Sequence, residues 1–146
     1  MAVEWYLAEL VMKITVAEDP RNIVHQNLVL VRADSPDEAY EKALKFGKDA
    51  ETSYDNPDGK AVRIMFEGLS GLDEIDEDIE DGAEIGFRYQ VGLPDKQIKS
   101  LVRPRNRLPV FGPRKGAEGP DYSSGEIIAL LERDYGIRRV RKPAKN

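Results

Sequence analysis

The stretch DEIDEDIEDGAE, from Asp73 to Glu84, carries eight carboxylates around two isoleucines. Carboxylates at this density can ligate a hard cation, work as an acid–base pair, or present a negative surface to a basic partner. A calcium loop needs oxygen ligands at positions one, three and five, glycine at six and a bidentate glutamate at twelve. Counted from Asp76, Asp78 and Glu80 fit, but position six is Asp81 and position twelve is Phe87, so the pattern fails. A helical reading does better. Leu72, Ile75 and Ile79 fall at i, i+3 and i+7 and make one apolar stripe, with acids over the rest of the surface. The spacing therefore predicts a short helix within Leu69 to Gly82. Its acids, Glu74, Asp76, Glu77, Asp78, Glu80 and Asp81, serve either as a solvated face or as a docking surface for a basic protein.

Other residues suited to chemistry are sparse. There is no cysteine, which removes disulfides, thiolate metal sites and cysteine nucleophiles and fits a reducing compartment. His25 is the single histidine and has no partner set for a zinc site. FGPRKGAEG sets a lysine near glycines, but lacks the phosphate-loop spacing and has proline where the cradle's N–H groups belong. Ser123 and Ser124 are explained by a helix cap, with no nucleophile motif beside them. The expectation is a non-enzymatic protein with no metal and no cofactor. A positive region near the C-terminus, Arg103, Arg105, Arg107, Arg114, Lys115, Arg138, Arg139, Arg141 and Lys142, could follow phosphates. Its aromatics are few: Phe111 and Tyr122 are alone between Asp95 and Tyr135.

The elements that must hold these groups follow from periodicity. Tyr6, Ala8, Leu10, Met12, Ile14 and Val16 alternate with polar residues and predict a strand over Val3 to Val16. EDPRN is a turn, and IVHQNLVLVRA predicts a second strand, Ile23 to Ala33, in an antiparallel hairpin with the first. Trp5 and Tyr6 then point to opposite faces, with Trp5 expected to cover the sheet rather than to project as an interface anchor. ADSPDEAYEKALKFG is a helix start: Ser35 caps, Pro36 suits the first position, and Glu38 completes a capping box. Ala39, Tyr40, Ala43 and Leu44 form its apolar stripe, and Gly47 reads as a stop or kink. YDNPDGK is a turn. Val62, Ile64 and Phe66 give a strand over Lys60 to Glu67, and Ile85, Phe87, Tyr89 and Val91 give another over Glu84 to Val91. The body is thus an α+β ββαββ domain, one main helix on a mostly antiparallel sheet.

Charge divides the chain. Residues 1–95 hold 9 Lys and Arg against 22 Asp and Glu, whereas residues 96–146 hold 13 against 5. Six of the nine prolines lie from Pro94 onward. This marks an acidic domain, 1–95, and a basic, proline-rich arm, 96–146. The arm reads as extended through RPRNRLPVFGPRKGAEGP. It ends in a short helix near 124–135, capped by Ser123 and Glu126, with Ile127, Leu130 and Leu131 on its apolar stripe. No apolar run approaches the ~20 residues of a membrane helix. The glutamates in MAVEWYLAEL do not suit a signal peptide, so a cytoplasmic location without membrane contact is expected.

WYLAELV, NLVLVRADSPDEAYEKAL and DGAEIGFRY together resemble a small bacterial family filed as domain of unknown function number four-two-eight-eight, over roughly residues 4–89. The resemblance implies the ββαββ body and supplies no activity. The charge logic leads to a protein-binding module whose acidic face docks a basic partner, of which an immunity or antagonist protein over a toxin's positive active site is one form. The arm would add a second contact or self-association. The alternative is a nucleic-acid-associated protein contacting phosphates through the arm.

Overall fold

A computed structural model describes residues 4–112. These fall into two compact units that divide between Tyr89 and Gln90.

The first unit contains β1 (Trp5–Val16), β2 (Asn22–Arg32), α1 (Pro36–Asp49), β3 (Thr52–Asp55) and β4 (Ala61–Glu74). All pairings are antiparallel, in the order β2-β1-β4-β3. Tyr6, Ala8, Leu10, Met12 and Ile14 turn to one face of β1 and are buried; Val31, Ala33, Ala39 and Ala43 join most of them in the core. This is an α+β ββαββ domain with an antiparallel sheet, the class that alternation and capping predict, although the strands after the helix are not both the predicted ones.

Ser35 Oγ accepts from the Glu38 N–H at 3.1 Å, and the Glu38 carboxylate accepts from the Asp34 N–H at 3.1 Å, so the capping box closes one residue beyond the cap. The buried face of α1 is Ala39, Ala43 and Gly47; Tyr40 points outward. Gly47 is no stop. It lies inside the helix against Phe66, where an added Cβ would meet ring carbons at 2.4–2.6 Å. Small residues on both sides bring helix and sheet together.

β1 and β2 pair in continuous register from Trp5↔Arg32 to Thr15↔Asn22. Their turn carries Glu18 at φ 68, a left-handed conformation that a side chain disfavours, and Glu18 there pairs with Lys60. Beyond it, Arg21 makes two side-chain bonds to the Asp19 carboxylate and holds its pKa at about 2.

β4 departs from the sequence reading. It continues to Glu74, through the first part of the expected acidic helix, because two register shifts insert extra residues opposite β1. Phe66, Leu69 and Leu72, three apart, face Met12, Leu10 and Ala8, two apart. A spacing of three that mimics a helix is here a bulged strand, and Gly68 at φ 141 accommodates the bend.

The fourth sheet position belongs to β3, not to Glu84–Val91, which enters no ladder among the described residues. β3 joins β4 through a tight turn in which Asn56 Oδ1 accepts from the N–H groups of Asp58 and Lys60 at 3.0 and 2.9 Å. A hairpin partner close in sequence takes the edge at little loop-closure cost.

Within the second unit, α2 (Asp95–Leu101) precedes single 3-10 turns at Arg105–Arg107 and Pro109–Phe111. These turns break what reads as one extended segment. The expected helix near 124–135 lies outside the described residues.

Candidate functional site

The acidic residues sit where the chain leaves the sheet. The Ile75 N–H donates to the Trp5 carbonyl at 3.0 Å and its side chain is only 6% exposed, anchoring the exit. Beyond it the Ala83 N–H donates to the Glu80 carbonyl at 3.0 Å, Gly82 takes φ 87, and the Glu84 N–H donates to the Glu77 carboxylate. The result is a closed turn. The helical expectation fails for two reasons: Leu72 is committed to β4, and a helix would force the carboxylates into like-charge neighbours. Ile79 is accordingly exposed rather than part of a buried stripe.

Glu74, Asp76, Glu77, Asp78, Glu80 and Asp81 are all exposed. Among the described residues none of them has an ionic partner, and no three Asp, Glu or His side chains converge as a metal site requires. The turn therefore gathers negative charge in water, where it acts on a partner at a distance of about a Debye length, ~8 Å at physiological salt.

An apolar segment follows directly. Phe87 and Tyr89 are 78% and 80% exposed, with ring centroids 6.3 Å apart and planes tilted by 47°. Gly86 lets the backbone approach β1: a Cβ there would lie 2.7 Å from Leu7 Cδ2. Acids and aromatics are thus adjacent in sequence, with the aromatics carried on backbone that rests on Leu7.

Leu7 belongs to the face that α1 leaves open. Trp5, at the end of that face, is half-buried with the Arg32 guanidinium 5.9 Å from its ring, so it is a covered residue rather than a projecting anchor. Near the middle, Gln26 Nε2 donates to Ser70 Oγ at 3.2 Å and Ser70 Oγ donates to a Glu9 carboxylate oxygen at 3.4 Å. This bridge joins β2, β4 and β1 and escapes sequence reading. Its sole sequence signal is the Gly68–Gly71 run that allows the bulges. His25 lies on the opposite face, in register with Met12, and its burial lowers its pKa.

In the second unit Arg103, Arg105 and Arg107 are exposed, and the Arg105 guanidinium sits 4.0 Å from the Phe111 ring centroid. Arg114, Lys115, Ile127, Leu130, Leu131, Arg138, Arg139 and Arg141 lie outside the described residues. No helix among the described residues is long and apolar enough to cross a membrane.

These features define an α+β protein with a helix-backed antiparallel sheet. The chain belongs to the family described as Domain of unknown function (DUF4288), whose model matches residues 5–86. No curated protein and no solved structure matches it.

Proposed function

We propose that the protein is a non-enzymatic protein-binding module of the cytoplasm that docks a basic protein partner. The observation that carries this reading is the succession of an exposed acidic turn and exposed aromatics, Phe87 and Tyr89, on one continuous segment. Charge accelerates encounter and is screened by salt, while exposed aromatic rings supply the desolvated contact that slows dissociation. An apolar pair left in water beside carboxylates that lack an ionic partner among the described residues supports this reading, because interfaces combine such groups. An immunity or antagonist protein, covering the positive active site of a toxin, is one biological form of such a module.

The test uses full-length protein as bait in nuclease-treated lysate, beside two variants: Asp76→Asn/Glu77→Gln/Asp78→Asn and Phe87→Ala/Tyr89→Ala. A basic protein retained by the wild type should bind each variant about tenfold more weakly or worse. The acid variant should act mainly on association at low salt. Equal retention by all three overturns the reading. Material released by nuclease transfers the function to phosphate contacts by Arg103, Arg105 and Arg107.

A further inference from the structure

The two edges of the sheet are guarded differently. β3 is four residues long and runs into Asn56-Pro57. β2 is an eleven-residue edge that pairs with β1 alone among the described residues. Between Asn22 and Arg32 it has no proline, lysine or acid, and its register with β1 contains no bulge. Those are the devices by which sheet edges are normally protected from pairing.

The direction of its backbone groups follows from one bond. The Ala33 N–H donates to the Glu4 carbonyl, so Ala33 and, by alternation, Val31, Val29, Asn27, His25 and Ile23 turn their groups toward β1. Asn22, Val24, Gln26, Leu28, Leu30 and Arg32 turn theirs outward. Lys42 Nζ donates to the Arg32 carbonyl, which fills the outermost acceptor. Among the described residues the unfilled outward groups therefore run from Asn22 to Leu30, and the four from Val24 to Leu30 are symmetric about Asn27. Val24, Leu28 and Leu30, on the open face, are 50%, 52% and 42% exposed.

We propose that β2 pairs antiparallel with β2 of a second copy of the chain about a two-fold axis through Asn27. Val24 then faces the partner's Leu30 and Gln26 faces the partner's Leu28, and every outward group from Val24 to Leu30 gains a bond. The exposed apolar side chains of both copies meet in one stripe, and cross-strand apolar pairs of this kind stabilise a ladder. Charge selects this edge. Two bodies with 22 acids against 9 bases over residues 1–95 repel each other, and β2 offers an approach without a carboxylate. The single β2 cation, Arg32, falls opposite the partner's Asn22 rather than its own copy. The pairing closes, because the edges that remain are the two short β3 strands. It uses residues apart from the acidic turn and the aromatics, so it neither needs nor supports the docking reading above.

Sedimentation of the full chain over about a hundredfold dilution reads the assembly directly. The wild type should be a dimer that dissociates on dilution. Gln26→Pro removes an outward N–H without touching the β1 ladder, and Leu28→Lys sets a charge in the stripe. Both should sediment as monomers with unchanged far-ultraviolet circular dichroism, and either one alone decides the matter if the other fails to fold. Because the chain has no cysteine, Asn27→Cys supplies a register test. Cα atoms of a facing non-hydrogen-bonded pair lie ~4.5 Å apart, within disulfide reach, so this variant should cross-link on oxidation. Gln26→Cys, offset from its own copy by more than ~7 Å, should not. A monomeric wild type, a dimer that survives both edge substitutions, or equal cross-linking of the two cysteine variants overturns the proposal.

Discussion

The covered and open faces of this sheet are written by the same strands one residue out of phase, yet they are built for different ends. On the covered face, small residues govern. Ala8, Ala39, Ala43 and Gly47 let α1 lie close, and Met12 and Val31 fill the space beside them. On the open face, Leu28 and Leu30 remain in water, a Gln26–Ser70–Glu9 bridge spans three strands, and the segment around Gly86 crosses at Leu7. Burial of apolar surface is the main stabilising term, at ~25 cal/mol per Å2, so one face sustains the fold while the other keeps apolar side chains in water.

The largest effect that tests this contrast is at Met12. Met12→Ala should cost about 2–5 kcal/mol in denaturant unfolding, while Leu28→Ala, measured at concentrations where the chain is monomeric, should cost less than ~1 kcal/mol. Similar losses at the two positions would erase the distinction between the faces. Next comes Gly47→Ala. Helix propensity alone favours the change by ~1 kcal/mol, but the new methyl meets the rigid Phe66 ring, so a net loss of about 1–3 kcal/mol is expected. A gain in stability would mean that α1 can lift from the sheet without penalty. Ser35→Ala should lower stability by ~1 kcal/mol through its lost cap, with the melting temperature as readout.

The smallest effect sharpens the covered face by pH. Burial lowers the pKa of His25 below its ordinary 6.5, so the unfolded chain takes up the proton first. Its neutral-form stability is complete above 6.5 and declines as pH falls from there toward the folded pKa. His25→Gln should flatten the unfolding profile in that window, and a profile left unchanged would show that the ring is as well solvated folded as unfolded.

β1, β2 and α1 are legible in the residues because each declares itself locally: a long alternation, then an apolar LVLV run after a turn, then a serine cap with proline and glutamate behind it. β4 is legible only to Phe66. Past that point the bulges stretch a two-residue period to three, and Leu72, Ile75 and Ile79 imitate a helix. β3 has no alternation to detect, since all four of its residues are exposed. Glu84 to Val91 has the alternation without a ladder, because periodicity describes one strand's side chains and says nothing of a neighbour's free backbone. Of the candidate site, the acids' exposure follows from their type and density, whereas the turn that gathers them depends on Ile75 being held by Trp5.

Residue type and short-range spacing are enough to dictate the class of fold, the alternation and caps of the first half, and the placing of negative charge in residues 1–95, since each depends on neighbours within a few positions. Only the packed structure settles which strand holds the fourth place, how β4 bends to keep Leu69 and Leu72 against the core, and which long edge lacks a neighbour among the described residues. Those choices set one backbone's hydrogen-bonding groups against another's across long sequence separations, and no local pattern carries that information.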